Sequence, residues 1–192
     1  LTAALRAPIA SAPLRHLVQP GQTVAVSVCD GTRPQPRPEM LSALLDEIAF
    51  APPHHVTIVV ATGTHRGNTA AELERMLGRD ILSRCRVVNH DARNAASLER
   101  VCTTTTGVEV FLNREWLSAD VRITTGVVEP HFFAGFSGGP KMVAPGLAAL
   151  DTVLTLHDAM RIGHPRATWG ITEGNPIHDD VREIARTVGV HF

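Results

Sequence analysis

The residue of this sequence best suited to covalent chemistry is Lys141, the only lysine among 192 residues. The other seventeen of its eighteen Lys and Arg residues are arginines, so arginine supplies the positive charge elsewhere. A lone amine therefore indicates a chemical role, because an amine can lose its proton and attack a carbon centre whereas a guanidinium effectively cannot. The alternative interpretation is a chance lysine on a mobile surface loop.

Lys141 lies in a segment, residues 126–146, that contains five glycines, three prolines and three phenylalanines. Within it, Gly135, Ser137, Gly138 and Gly139 would let backbone N–H groups approach a phosphate or another anion. These four residues are the predicted cofactor-binding positions beside the lysine. Their order is not that of a Walker A motif, so the segment alone is a weak nucleotide signal.

His65 and His131 are the candidate acid–base pair, since imidazole titrates near neutral pH and can both take and return a proton. Asp30 and Arg33 are three residues apart around a Gly-Thr turn. Arg33 would bind a carboxylate with its forked guanidinium, and Asp30 would orient it or a nearby imidazole. A turn-stabilising aspartate with a solvated arginine is the other interpretation.

His157 follows Leu150, Val153 and Leu154 at helical spacing, which puts it on the apolar stripe of a predicted helix. The common outcome at such a position is a core histidine with one hydrogen bond. The sharper interpretation is an imidazole directed toward the 126–146 segment as a metal ligand. It would be the only such ligand nearby, so an ordinary three- or four-ligand zinc site does not fit.

Alternating strand and helix patterns predict the fold class: α/β, a three-layer sandwich with a mostly parallel, Rossmann-like sheet. Predicted strands cover 23–29, 56–61, 86–88, 108–112 and 121–125. Predicted helices begin at Pro38, run from Thr69 to a close at Gly78, and cover 147–161 and 176–188, with a short turn at 114–118.

Charged residues follow four of these strands, at the edge where parallel sheets bind ligands. The four pairs are Asp30 with Arg33, His65 with Arg66, His90 with Asp91, and Glu129 with His131. Four loops that bring acids, bases and cations to one edge predict a site more strongly than any single motif does.

Composition excludes several classes of function. The net charge is −1 and no basic block is present, which argues against nucleic acid and anionic membrane as partners. Three scattered cysteines, Cys29, Cys85 and Cys102, indicate reduced thiols and a cytoplasmic protein. No apolar run is long enough to cross a bilayer.

Several motifs together resemble the N-terminal domain of the lactate racemase family, the nickel-pincer 2-hydroxyacid racemases and epimerases. The resemblance spans nearly the whole chain, and the motif around His131 is its most specific part. The matching segments are Asp-Gly-Thr-Arg-Pro at 30–34, Ala-Thr-Gly-Thr-His-Arg at 61–66, Asn-His-Asp at 89–91, Val-Glu-Pro-His-Phe-Phe-Ala-Gly-Phe-Ser-Gly-Gly at 128–139, Lys141, and Pro-Gly at 145–146.

The resemblance implies a set of roles. Lys141 would be joined through a thioamide to a pyridinium mononucleotide that holds nickel in a sulfur–carbon–sulfur pincer, and His157 would be the remaining nickel ligand. His65 and His131 would exchange the hydroxyl proton on opposite sides of a small 2-hydroxy acid while hydride passes to and from the cofactor. Arg33 would contact the substrate carboxylate, with Asp30 supporting the site.

The resemblance also implies that residues 1–192 form one N-terminal domain of a longer two-domain protein, inactive without its C-terminal domain and dependent on cofactor-biosynthesis proteins. Lactate is the default substrate. Two other functions remain open from the residues themselves: a Schiff-base enzyme that uses Lys141, and a non-catalytic domain that binds a nucleotide or anion.

Overall fold

The computed structural model describes residues 1–192, apart from the side chain of Pro53. Its strands are β1 (Val24–Cys29), β2 (Val56–Ala61), β3 (Arg86–Asn89), β4 (Leu98–Thr103), β5 (Glu109–Asn113), β6 (Val121–Thr124), β7 (Pro130–His131) and β8 (Gly135–Phe136). Its helices are α1 (Thr2–Arg6), α2 (Leu14–Leu17), α3 (Arg37–Glu47), α4 (Ala70–Arg84), α5 (Arg114–Leu117), α6 (Leu150–Leu156), α7 (Ala159–Ile162) and α8 (Pro176–Val188).

The main sheet has four parallel strands in the order β3-β2-β1-β6, which confirms the predicted α/β class. All six residues of β1 are buried, because β1 is central and both faces of the sheet are covered. This order is that of a doubly wound sheet: successive strands are added on one side of β1 up to β3, and β6 is then added on its other side. The crevice outside the carboxyl ends is therefore the expected ligand site.

Alternating residues of β1 divide the core into two apolar layers. Val24, Val26 and Val28 pack with α2, α3 and α4 on one face of the sheet. Ala25 faces the opposite layer, which contains the fully buried Trp116 together with residues of α6 and α8. This is the three-layer arrangement that the sequence predicts.

Residues 98–113 depart from the predicted parallel sheet. The segment predicted as a strand at 108–112 is β5, and it pairs antiparallel with β4, which the sequence analysis did not predict. The β4 strand is hard to recognise because most of its residues are exposed or half-buried, with no apolar run. The hairpin contacts α6: Thr152 donates its hydroxyl to Glu109 O at 2.7 Å, and Leu112 forms an isolated bridge with Ala148.

The structure refines two predicted helix boundaries. The first helical segment of α4 ends at Gly78 as predicted, since Gly78 has non-helical angles of φ 81° and ψ 155°, but a second segment continues beyond this kink to Arg84. The helix predicted over 147–161 is two shorter helices, α6 and α7, which are separated at His157 and Asp158. The predicted Thr69–Glu72 capping box at the start of α4 is present.

Residues 190–192 lie along the free edge of β6. His191 N donates to Arg122 O at 2.9 Å, and Thr124 N donates to Phe192 O at 2.9 Å. Among the described residues, no helix is both long and apolar enough to span a membrane.

Candidate active site

A cleft of about 540 Å³ opens at the carboxyl edge of the main sheet. Its walls come from the loops after β1, β2 and β6 and from one side of α6. The predicted site residues that line it are Asp30, Arg33, His65, His131, Ser137, Gly138, Lys141 and His157. Gly135 and Gly139 are the two predicted positions that do not line this cleft.

Asp30 fixes the orientation of His65 on one side of the cleft. Its carboxylate Oδ2 lies 2.7 Å from His65 Nδ1, and its Oδ1 accepts the Thr32 hydroxyl at 2.6 Å. Burial acts to raise the pKa of Asp30, but hydrogen bonds from Thr32 and His65 outweigh it and hold the pKa below its usual value. A carboxylate only accepts hydrogen bonds, so Nδ1 carries a proton and the unprotonated Nε2 of neutral His65 is available as a base.

The neutral His131 ring is the opposite tautomer from that of His65. Its Nδ1 accepts backbone N–H groups from Phe133 at 3.4 Å and Ala134 at 3.3 Å, so the proton of the neutral ring is on Nε2. Burial, and then the positive charges of Lys141 and Arg33, lower the pKa of His131 to about 4. The imidazole is therefore neutral at pH 7 and presents a hydrogen-bond donor.

Lys141 and His157 approach the same aromatic ring. Lys141 Nζ lies 5.4 Å from the centroid of Phe133, and the His157 ring meets Phe133 edge-on with centroids 5.0 Å apart. Burial, followed by the charge of Arg33, lowers the pKa of Lys141 to about 8. A substantial fraction of this amine is thus uncharged near neutral pH, which is the reactive form.

The His157 ring is held by the end of α6. Its Nδ1 lies 2.7 Å from Val153 O, and a carbonyl only accepts, so Nε2 of the neutral ring has a free lone pair. Burial, the largest influence, lowers the pKa of His157 and favours this neutral form. Metal-ligating histidines are typically oriented through such a bond from the second nitrogen. No group of three or more His, Cys, Asp or Glu residues arranged for a metal exists among the described residues.

Two glycines of the 126–146 segment have packing roles. Gly135 has a φ of 76°, and a Cβ there would collide with the carbonyl of Ile171. Gly138 has a φ of 68°, and a Cβ there would lie 2.8 Å from Val127 O. The Ser137 hydroxyl donates to Val127 O at 2.7 Å, so it stabilises the loop by a hydrogen bond between two of its own residues. Anion binding by these residues stays a prediction.

The loop after β3 supplies a different residue from the expected one. His90 is 1% exposed and its Nε2 lies 2.9 Å from Ala148 O, so it supports the fold and is not among the cleft-lining residues. Arg93 lines the cleft instead, with Nη1 donating to Thr64 O at 3.3 Å. The sequence signal for Arg93 was its position in the same strand-end loop as Asp91. Arg66, also predicted at this edge, pairs with Glu72 on the surface.

Arg33 is exposed and is held only by a long ion pair. Its Nε lies 3.9 Å from Glu129 Oε1, and both side chains are over 40% exposed, at 42% and 49%. An exposed ion pair of this length contributes little energy. The guanidinium is therefore free to exchange Glu129 for the carboxylate of a ligand.

The lowered pKa of Lys141 predicts unusual reactivity toward amine reagents. Titration through about pH 8 leaves roughly a quarter of the amine uncharged at pH 7.5, against about 0.1% for an ordinary lysine. We expect the acylation rate of the peptide containing Lys141, followed by mass spectrometry, to rise with a midpoint near pH 8. An exposed lysine introduced by Arg79→Lys is the control, and a midpoint for Lys141 near that of the control would contradict the prediction.

The fold and the cleft define an α/β domain of the Rossmann-like class, with one half-buried amine and three imidazoles at the carboxyl edge of a parallel sheet. The sequence model of the lactate racemase N-terminal domain matches residues 1–170. The chain belongs to this family, which confirms the resemblance found in its motifs.

Two characterised relatives are both called lactate racemase. The protein of Thermoanaerobacterium thermosaccharolyticum is 37% identical over 190 residues, and that of Lactiplantibacillus plantarum is 35% identical over 186 residues. These alignments cover 98% and 96% of this chain but 45% and 44% of the relatives. The chain thus spans less than half the length of the proteins it matches.

Solved structures support the fold. The lactate racemase apoprotein from T. thermosaccharolyticum superimposes with a TM-score of 0.92, covering 98% of this chain and 45% of that one. A protein from Thermotoga maritima has a TM-score of 0.78 at 23% identity, covering 99% of this chain and 49% of that one, and supports the fold alone.

Proposed function

We propose that this chain is the cofactor-holding part of a racemase or epimerase that inverts a small, lactate-like 2-hydroxy acid. The observation that carries the proposal is the convergence of Lys141, His131 and His157 around Phe133, with His65 in the same cleft. Membership of the lactate racemase family supports the same isomerase class.

The residues present fit a tethered nickel-pincer pyridinium mononucleotide. Lys141 is a half-buried amine with a lowered pKa, suited to covalent attachment through a thioamide. His157 offers one Nε2 lone pair, and a single protein ligand suffices where the bound group brings soft sulfur and carbon donors of its own. When bound, the cofactor would supply the acceptor and donor of the substrate's Cα hydride.

His65 and His131 would act on the proton of the substrate hydroxyl. The free Nε2 of His65 is suited to accept that proton from one enantiomer, with Asp30 stabilising the imidazolium that forms. The neutral Nε2–H of His131 is suited to hold the substrate oxygen on the other side through a hydrogen bond, and the ring would act as an acid only from its imidazolium form. In the reverse direction the imidazolium of His65 would return its proton to the substrate oxygen.

Arg33 would hold the substrate carboxylate through paired N–H donors, which fixes the Cα centre relative to both histidines. The apolar Phe133 ring between Lys141 and the imidazoles would keep water from the reacting carbon. The whole protein, with the chain segments that this sequence does not contain, would complete the site in the cytoplasm after cofactor-biosynthesis proteins have acted.

The test is an intact-mass and metal analysis of the full-length protein made together with that biosynthetic machinery. We expect a covalent mass increase that maps to Lys141, and one nickel per protein that His157→Ala reduces. An unmodified Lys141 in protein that racemises a 2-hydroxy acid would refute the proposed attachment.

A second candidate function is favoured by the lowered pKa of Lys141. An amine that titrates near pH 8 is also suited to a Schiff base with a carbonyl substrate or pyridoxal phosphate. Borohydride would trap that adduct on Lys141 irreversibly. A thioamide needs no reduction to survive mass spectrometry, so the two functions give different results in the same experiment.

A further inference from the structure

The chain breaks its helical path at the residue that would bind the metal. His157 ends α6 with φ −113° and ψ 23°, and Asp158 then starts α7 by accepting Arg161 N at 2.7 Å on its carboxylate. In a continuous helix each residue advances by a fixed rotation of about 100°, so the His157 ring would point in a different direction. The turn between α6 and α7 therefore determines where the His157 ring lies.

Arg161 connects this turn to the rest of the domain. Its guanidinium binds the Asp158 carboxylate, donates from Nε to Asp180 Oδ2 at 2.9 Å, and donates from Nη1 to Thr155 O at 3.3 Å. From Nη2 it reaches Thr106 Oγ1 at 3.2 Å. One side chain thus joins the end of α6, the start of α7, the helix α8 and the turn of the β4–β5 hairpin.

The residue on α8 that binds Arg161 is buried. Asp180 is 1% exposed, and its second oxygen accepts the Thr106 hydroxyl at 2.5 Å. The Arg161 side chain is 15% exposed, so the Arg161–Asp180 pair is shielded from solvent and from screening salt. Removing one member would leave the other's charge buried without its partner, so the pair favours a single geometry of the turn.

We propose that Arg161 is a positioning residue for His157: through Asp158 and Asp180 it fixes the turn that directs the His157 Nε2 lone pair into the cleft. The inference rests on the proposed function, in which His157 is the nickel ligand. A planar guanidinium is required because its forked donors satisfy two carboxylates and a carbonyl at once, which an ammonium on a flexible stem does not reproduce.

The experiment measures nickel retention in the cofactor-loaded, full-length protein. Partners outside the ligand shell typically change metal affinity by roughly 10- to 100-fold. We expect nickel loss to a chelator to become at least about tenfold faster in Arg161→Gln, while the covalent mass on Lys141 stays unchanged. Arg161→Lys keeps the charge and should restore only part of the retention.

Arg166→Gln is the matched control, because Arg166 is exposed and donates to Glu173 O. It should leave nickel retention unchanged. Retention in Arg161→Gln equal to that of the control, with His157→Ala still losing nickel, would overturn the positioning role alone. Unchanged retention in His157→Ala would overturn the ligand assignment and the inference together.

A second measurement needs no cofactor. In the apoprotein labelled with ¹⁵N-histidine, the Nδ1–H of His157 is bonded to Val153 O and should exchange slowly. We expect its exchange to become at least about tenfold faster in Arg161→Gln, since Val153 and His157 then lose their fixed relation. The buried His90 ring is the internal reference, and equal acceleration of both signals would indicate general destabilisation and refute a specific role.

Discussion

A Lys141→Arg variant of the full-length protein is expected to carry no covalent cofactor and to lose essentially all racemase activity. A guanidinium stays protonated at any pH the protein survives, so it cannot form the thioamide even though it retains the positive charge. Because enzymes exceed uncatalysed rates by 10⁶-fold or more, we expect a fall of roughly 10⁴-fold or greater. Intact mass and the rate of racemisation are the two measurements.

The control for Lys141→Arg is Arg79→Lys, which adds an amine on the surface, where Arg79 is 88% exposed. It should be fully active and should carry the cofactor on Lys141 alone. A Lys141→Arg protein that still shows the covalent mass, or a wild-type protein modified at another residue, would contradict the assigned attachment. Lys141 is the only lysine among residues 1–192, so a lysine adduct that maps to this stretch is assigned to a single residue.

His65→Ala is expected to produce the second-largest loss, about 10²- to 10⁴-fold in kcat, since it removes a general base. Asp30→Asn should lose activity as well, because a carboxamide neither fixes the Nδ1–H tautomer of His65 nor stabilises its charged form. In both variants the covalent mass on Lys141 should remain at wild-type level, which separates proton transfer from cofactor attachment.

His16→Ala is the control for these variants, since His16 is exposed on α2 and is not among the residues that line the cleft. It should leave kcat unchanged. Full activity of His65→Ala in cofactor-loaded protein would exclude His65 as the base. A Glu side chain at position 30 in Asp30→Glu should recover part of the rate, because it restores a carboxylate that can accept the Nδ1–H.

The parallel sheet could be predicted from the sequence because its strands carry an unambiguous pattern. The β-branched runs at β1 and β2 are buried on both faces, and each ends in a polar loop. Once these strands are parallel and adjacent, the residues that follow them must lie at one edge. Asp30 and His65 are accordingly in contact, although they are 35 positions apart in the sequence.

The parts that could not be predicted depend on tertiary contacts. Helical periodicity continues through His157 and gives no sign of the break, which is held by Arg161 and Asp180 on another helix. The edge position of His90 predicted a site residue, but its side chain turns inward to Ala148 O. Likewise, the tautomers of His65 and His131 follow from partners whose geometry only the folded chain defines.

The contact between α6 and the β4–β5 hairpin affects how the domain unfolds locally. Asp30 and His65 follow strands of the main sheet. The segment before His157 instead contacts the two-stranded β4–β5 hairpin, through the Thr152 hydroxyl and through the bridge from Ala148 to Leu112. A two-stranded ribbon is marginally stable by itself, and this one depends on the burial of Val108, Val110 and Leu112 in the same apolar layer as α6 and α8. We therefore expect the His157 end of the cleft to loosen together with that layer, and the Asp30–His65 end together with the main sheet.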